Sequence, residues 1–313
     1  MANIAFIIDG RKKNKNQMFQ SFEQSFGQAH QLKKFFTEYA GHAILLAEQA
    51  LNEGFTHIIC VGGDGCLHEV VNGMMKARTA MGEEQWSRIR LGVLPKGSGN
   101  DFVKTVLVPE DPDGLKKAVE ADHSKRIDLC EARFESFSGG EQNRYLVNIA
   151  DVGMGAVVVE KQSVYSKRMN ALFNYQRAIL GTFFTYKKKP LRVTADTFTY
   201  EGIVVDFVIA NGKYYGNGLG IAPDAVIDDG VFSVTAIGDV SLFDYLKKLS
   251  VVRKCKKPDL PELKYYTARE LSLESLSGKI PFEIDGEFVG FTPIKIRVVP
   301  AAIKVICRQP VRD

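Results

Sequence analysis

Thr56–Gly73, THIICVGGDGCLHEVVNG, decides how this chain folds. Its first third is almost continuously apolar, as a strand covered on both faces is. Gly62, Gly63 and Gly65 then surround one carboxylate, Asp64. From Leu67 to Ala77 the apolar residues return at helical spacing. Leu91–Phe102, LGVLPKGSGNDF, repeats the strand and the glycine-rich turn, here Gly97-Ser98-Gly99-Asn100-Asp101. Strand, turn and helix in that order predict a parallel α/β sheet.

Working outward, Ala2–Ile8 reads as a first strand and Gly41–Glu53 as a helix striped by Ile44, Leu45, Ala47 and Leu51. Gln17–Ala29 reads as a polar helix or a long loop. Ile89–Leu94 is a strand, and Asp113–Glu120 a helix with Asp113 near its cap. Near Lys125–Asp128 the character changes. Ile127–Phe137, Arg144–Ala150, Leu191–Thr197, Thr199–Asn211, Gly230–Ile237, Glu270–Ser275, Pro281–Ile284 and Ile294–Val299 read as strands joined by short turns. That pattern predicts an antiparallel, sandwich-like second domain. Helices are expected at about Tyr165–Tyr186 and at Leu242–Lys256 with Ser241 as cap. The expected boundaries are 1–126 for an α/β nucleotide-binding domain and 127–299 for a β-rich lipid-substrate domain. A last strand, Ala302–Arg308, can run back to either, so that 300–313 returns to the first domain.

The 313 residues suffice for two domains. No apolar run approaches the roughly 18 residues of a membrane span. The N-terminal apolar stretch precedes its charges, the reverse of a secretory leader. Five cysteines, Cys60, Cys66, Cys130, Cys255 and Cys307, lack metal-type spacing and suggest a reducing cytoplasm. A net charge of +4 argues against a dedicated nucleic-acid binder.

The two turns carry the chemistry. Glycines permit positive φ and close approach of the backbone to a phosphate, and the following helix adds its positive dipole end. Asp64 beside a polyphosphate makes sense if Mg²⁺ intervenes. Taken alone, GGDG is equally well a capped strand-to-helix turn. The second turn adds N–H groups, a hydroxyl and an amide at the C-terminal end of a neighbouring strand, where open α/β sheets bind ligands. GxxxxGK[ST] is missing, and the third glycine of a dinucleotide fingerprint is absent.

Four motifs in order resemble the diacylglycerol kinase catalytic-domain family, which includes sphingosine, ceramide and soluble bacterial lipid kinases. They are Gly62–Gly65 running into Glu69–Gly73, Leu94–Phe102, Ala222–Gly230, and Asp285-Gly286-Glu287. The resemblance implies ATP contacts at Thr37, Gly62, Gly63, Asp64, Gly65, Cys66, Glu69, Gly97, Ser98 and Asn100. It implies deprotonation of a lipid hydroxyl by Asp285 or Glu287, and a structural Mg²⁺ on Asp229 with the carbonyls of Val226 and Val231. Three positions depart from the family. Asp9-Gly10-Arg11-Lys12 replaces an Asn-Pro-x-Ser-Gly-like turn, Cys66 replaces the threonine of GGDGT, and Ser98 replaces a threonine.

The expected activity is transfer of the ATP γ-phosphate to a lipid hydroxyl, diacylglycerol first, with a sphingoid base or phosphatidylglycerol following. An NAD kinase-like enzyme and a non-catalytic nucleotide-binding regulator are the alternatives. The expected setting is cytoplasmic and peripheral to the inner membrane face, with no nucleic acid and a possible homodimer. Lys187–Lys189 and Arg253–Lys257 read either as solvated helix ends or as contacts to anionic headgroups. Phe173, Tyr175, Phe183, Phe184 and Tyr186 read mainly as core.

Overall fold

The computed structural model describes residues 2–136, 139–164 and 171–308. The chain divides into two compact units, Met1–Ile127 with Ala301–Asp313, and Asp128–Pro300. The first contains β1 (Asn3–Ile8), α1 (Lys15–Phe26), a 3₁₀ turn at Gly27–Ala29, β2 (Gln31–Phe36), α2 (His42–Asn52), β3 (His57–Gly62) and α3 (Asp64–Arg78). It continues with α4 (Glu83–Ser87), β4 (Arg90–Pro95), α5 (Phe102–Thr105) and α6 (Pro112–Glu120). Its strands run parallel in the order β2-β1-β3-β4, and Val305 of the returning segment pairs with Leu91 of β4, also parallel.

The apolar strands sit between helices. Phe6 of β1 stacks on Phe22 of α1 at 4.5 Å, with Phe19 and Phe26 edge-on at 5.9 Å, so α1 is a helix pinned by three aromatic anchors. That resolves the choice between helix and loop. β2 was not expected. It is an edge strand in which only Phe35 is buried, and Lys33 and Lys34 break any apolar run. The cap of α6 is Asp111, whose carboxylate accepts from the Gly114 N–H at 2.8 Å, and not Asp113. Pro112 holds the first helical position, where its missing N–H costs nothing.

The second unit holds most of β5 (Ser124–Glu135), then β6 (Glu141–Leu146), β7 (Ile149–Gly153), α7 (Met154–Val164), α8 (Ala171–Thr185), β8 (Lys189–Ala195), β9 (Thr199–Val204) and β10 (Asp206–Ala210). There follow β11 (Tyr214–Tyr215), β12 (Leu219–Gly220), β13 (Phe232–Ile237), α9 (Leu242–Arg253), β14 (Leu263–Ala268), β15 (Glu270–Ser275), β16 (Pro281–Ile284), β17 (Glu287–Phe291) and β18 (Ile294–Ile306). One antiparallel sheet has the order β14-β13-β10-β7-β16-β17. Residues 294–297 of β18 pair with β15, which continues to β8 and β9. Phe207, Phe232 and Phe282 from the first set and Leu191, Leu271 and Ile296 from the second close a core between them.

Several expected strands differ in extent. Arg144–Ala150 is two strands, because the segment turns at Val147–Asn148. Thr199–Asn211 breaks at Val205. Conversely Ile294–Val299 and Ala302–Arg308 are one strand, β18. Residues 165–170 of the expected helix, Phe137, and the side chains of Phe173 and Tyr175 lie outside the described residues. Phe183 is half-buried, whereas Phe184 is 78% exposed and is not core.

Candidate active site

In the first unit the C-terminal ends of β1, β3 and β4 carry the turns 9–12, 62–65 and 96–101. Gly62 ends β3, Gly63 caps α3 at φ −99°, and Asp64 and Gly65 already belong to the helix. None of Gly62, Gly63, Gly65, Gly97 and Gly99 adopts a positive φ; Asn100 does, at 51°. The expectation of left-handed glycines therefore fails, and the reason for glycine is space. A Cβ on Gly97 would stand 2.4 Å from the Gly63 Cα, and one on Gly63 would stand 2.9 Å from the Gly97 Cα. The two turns touch backbone to backbone, which leaves no room for any side chain at either position.

Hydrogen bonds fix this contact. Lys96 N–H donates to the Gly62 carbonyl at 2.7 Å, and Gly97 N–H donates to the Asn100 side-chain carbonyl at 2.9 Å while the Asn100 amide returns to the Gly97 carbonyl at 3.1 Å. Ser98 is exposed between them. Phe102 N–H donates to Asp64 at 3.3 Å. The Cβ that Gly99 lacks would lie 3.1 Å from one Asp64 oxygen and 3.5 Å from one Asp101 oxygen, so two carboxylates flank this turn.

Cations gather around them. Lys12 donates to the Lys96 carbonyl at 2.5 Å, and Lys104 reaches the Gly99 carbonyl at 2.9 Å and Asp101 at 2.5 Å. Asp9, which would repel phosphate, is gripped by Arg11 through two guanidinium bonds of 2.9 Å. That side-chain contact holds the Asp9 carboxyl below its ordinary value against its burial. The charge that compensates Asp9 is therefore Arg11. Arg11, Asp101 and Lys104 were not among the expected site residues. Only the DG-Arg-Lys and Asn-Asp-Phe spellings hinted at them.

Glu69 does something specific here. Its two oxygens accept from the N–H groups of Gly41 at 2.8 Å and Ala43 at 3.0 Å. It caps α2, whose own cap residue Gly41 has no side chain to do so. Thr37 accepts from Gly10 N–H at 3.0 Å, joining the end of β2 to the first turn. Cys66 lies in the first turn of α3, and its Cβ is 2.6 Å from where a Gly62 Cβ would be. Its side chain, together with burial, pushes the Cys60 thiol well above the ordinary range.

In the second unit Asp285-Gly286 is the two-residue turn between β16 and β17, at φ 50° and 86°, the mirror-image turn that Asp-Gly favours. Asp285 is not a solvated tip. Its carboxylate accepts from Val147 N–H at 2.8 Å, Asn148 N–H at 2.9 Å and Ile149 N–H at 3.0 Å. This is what bends the chain between β6 and β7. Glu287 is one-third exposed and meets Arg144 at 3.1 Å. Asp229, exposed in the 226–231 loop, accepts from the Val231 N–H at 3.1 Å, and Val226 is also exposed. Among the described residues no three His, Cys, Asp or Glu side chains cluster as a metal site.

The first unit is thus a parallel α/β sheet whose two glycine-rich turns interlock, and the second an antiparallel sandwich. Two family models match the chain: "Diacylglycerol kinase catalytic domain" over residues 3–132 and "YegS C-terminal NAD kinase beta sandwich-like domain" over residues 148–307. A diacylglycerol kinase of Staphylococcus haemolyticus is 27% identical over 264 residues, 84% of this chain and 74% of that protein. A solved diacylglycerol kinase of Bacillus anthracis superposes with a TM-score of 0.71 at 17% identity, covering 99% of this chain and 98% of the other. Yeast NADH kinase superposes at only 0.52 with 9% identity, covering 98% and 83%. At these identities the two structures speak to fold alone. The chain belongs to the family that joins a diacylglycerol kinase catalytic domain to a YegS C-terminal NAD kinase beta sandwich-like domain.

Proposed function

We propose that this protein is an ATP-dependent lipid kinase that transfers the γ-phosphate to a lipid hydroxyl, with diacylglycerol the first acceptor and phosphatidic acid the product. The observation that carries the reading is the backbone contact of Gly63 with Gly97. In this reading the α3 N-terminus and the remaining turn N–H groups take a triphosphate, with Lys12 and Lys104 as cations on the turns. Asp64 and Asp101 fit a hard divalent cation such as Mg²⁺ on that triphosphate, since oxygen ligands are what it takes. When bound, Mg²⁺ would offset charge that builds on the transferred phosphoryl group. A structural Mg²⁺ on Asp229 with the Val226 and Val231 carbonyls is the corresponding proposal for the second unit.

Of the two acids in the late motif, Glu287 is the better base. Asp285 spends both oxygens on three backbone N–H groups, whereas Glu287 is partly solvent-facing and held by one arginine. A base at the acceptor hydroxyl contributes roughly 10²–10⁴-fold. In this reading the 285–287 hairpin meets the acceptor, and the enzyme works peripherally at the inner face of the membrane. Described residues contain no helix long and apolar enough to cross one.

Labelled ATP offered with short-chain diacylglycerol, a sphingoid base, phosphatidylglycerol or NAD tests the assignment. Label in phosphatidic acid is the expected result. Label in NADP would move the protein to the NAD kinases, and ATP binding without transfer to any acceptor would make it a regulator.

A further inference from the structure

Cys60 and Cys66 flank the 62–65 turn, and the fold brings both thiols to one place. Alternation along β3 puts Ile59 and Val61 into the core that α1 covers and leaves Cys60 and Gly62 on the opposite face. Cys66, in the first turn of α3, comes down on that same face. A Cβ on Gly62 would meet the Cys66 Cβ at 2.6 Å and its Sγ at 2.9 Å. Gly62 is bare because a thiol occupies the space, and the Cys60 S–H donates to Cys66.

The two thiols differ in reach. Cys60 is fully buried, and its hydrogen bond to Cys66 together with burial keeps its proton on. Cys66 is half-buried, outside any disulfide and within electrostatic reach of the Arg11 guanidinium. A buried cysteine alone is a small apolar side chain. An open thiol hydrogen-bonded to a hidden one six residues away is a different object. It has one sulfur that an oxidant can reach and a second that can resolve the product. In a reducing compartment such a pair closes transiently instead of serving as a permanent staple.

We propose that Cys60 and Cys66 form a reversible modification site, closed to a disulfide by a peroxide and reopened by a dithiol, and that closure disables the phosphate turn between them. Hydrogen peroxide transfers one oxygen to the Cys66 thiol, giving a sulfenic acid and water. The Cys60 sulfur then attacks the Cys66 sulfur. The S–S bond forms as the S–O bond breaks, and the hydroxyl leaves as a second water with the Cys60 proton. Thiol exchange reverses the closure and leaves the dithiol as its own disulfide. Closure brings the sulfurs to about 2.05 Å, so the first turn of α3, with Asp64 and Gly65, is drawn onto β3. That turn carries the N–H groups assigned above to the triphosphate. The consequence for ATP rests on that reading; the disulfide does not.

The test treats the reduced full chain with hydrogen peroxide, then alkylates and digests it with trypsin. Cys60 and Cys66 share one tryptic peptide, residues 35–76. In the parent this peptide should lose two hydrogen atoms and escape alkylation, at a dose that leaves Cys255 and Cys307 open to alkylation. ATP affinity by calorimetry should fall by on the order of tenfold or more, the loss of one charge-assisted hydrogen bond, and dithiothreitol should restore it. In Cys60→Ala, checked for folding by its melting curve, the Cys66 sulfenic acid should persist and be trapped by dimedone, which labels little of the parent. In Cys66→Thr no ring forms, and ATP affinity should ignore peroxide. Full alkylation of both thiols after peroxide, or equal dimedone labelling of Cys66 in the parent and Cys60→Ala, would overturn the site. Closure with unchanged ATP affinity would overturn the switch. Failure of the kinase reading looks different: the reduced parent binds no ATP, while peptide 35–76 still closes and reopens.

Discussion

Buried carboxylates of the two units differ, although Glu131 of the second unit, 3% exposed, pairs with Arg133 and Arg297 as those of the first unit pair with cations. In the first, Asp9 and Asp101, each 6% exposed, have Arg11 and Lys104 on them. In the second, Asp151, Asp206 and Glu283 are 0–4% exposed and have no cation among the described residues. Asp206 accepts from Gly155 N–H at 2.8 Å and Glu283 from Gly286 N–H at 2.6 Å, while Asp151 lies against Asp206. Burial and neighbouring acids push Asp151 and Glu283 well above the carboxylate range, and burial pushes Asp206 up to about 6. Under the proposed function, acids kept ionised and paired with cations in the first unit would leave its turns less repulsive to a phosphate. Asp151, Asp206 and Glu283 of the other unit instead favour the protonated form.

The largest expected effect probes the first unit. Gly97→Ala places a methyl 2.4 Å from the Gly63 Cα, so the two turns must separate. Misplacing a phosphate cradle by about 1 Å costs on the order of 10²-fold in turnover, and ATP affinity should fall with it. Calorimetry of ATP binding alongside initial rates checks this. Unchanged affinity would mean that the triphosphate is held elsewhere.

Next comes the second unit's hairpin. Glu287→Gln should lower kcat by roughly 10²–10⁴-fold with ATP binding and melting temperature retained. Asp285→Asn should do the reverse in kind. The amide presents an N–H₂ to N–H donors from Val147–Ile149, which costs about 1–3 kcal/mol of stability. A melting curve and a rate for each variant separate the roles. If Asp285→Asn kept its melting temperature and lost turnover, the base would be Asp285.

How much of this was legible without coordinates depends on where the physics sits. Apolar strands, the helix after GGDG and the Ser241 cap are local patterns, and the sequence carries them. The turn glycines were identifiable, but the reason for them was not. Their need is an approach between residues 63 and 97, a contact that no local pattern encodes. Likewise Asp285-Gly286 spells a hairpin, but nothing in the spelling says that the carboxylate bends Val147–Ile149. Arg11 and Asp101 were overlooked because single charges beside a motif look like solvated residues. β2 and β14 were missed because edge strands carry charges where inner strands carry Val and Ile.

A third test sharpens the contrast through pH. Each raised carboxylate of the second unit favours the fold below about pH 4, the unfolded value, and that contribution is lost as pH rises through about 6 for Asp206 and higher for Asp151 and Glu283. In the first unit burial, aided by Arg90, holds His57 down to about 4, so its contribution is complete above about 6.5 and is lost as pH falls toward 4. The units should weaken at opposite ends of the scale. Asp151→Asn should therefore raise the melting temperature by a few degrees at alkaline pH and change it little near pH 4. An equal shift at both ends would show that Asp151 does not favour the protonated form.

The smallest effect is at Cys66, where the family carries threonine. Cys66 sits in the first turn of α3, half-buried, next to the fully buried Cys60. Cys66→Thr adds a hydroxyl that can donate to a phosphate oxygen, one hydrogen bond of about 0.5–1.5 kcal/mol. The KM for ATP should fall by about two- to tenfold with kcat within error. The added methyl of threonine points toward a crowded place, since the Cys66 Cβ already lies 2.6 Å from the Gly62 Cβ position. Cys66→Ser supplies the hydroxyl without that methyl and should give the same gain if the donor is what matters. Should neither variant change KM, the first turn holds its anion through backbone N–H groups and cations alone, and the difference between the two units would rest entirely on where their charges are paired.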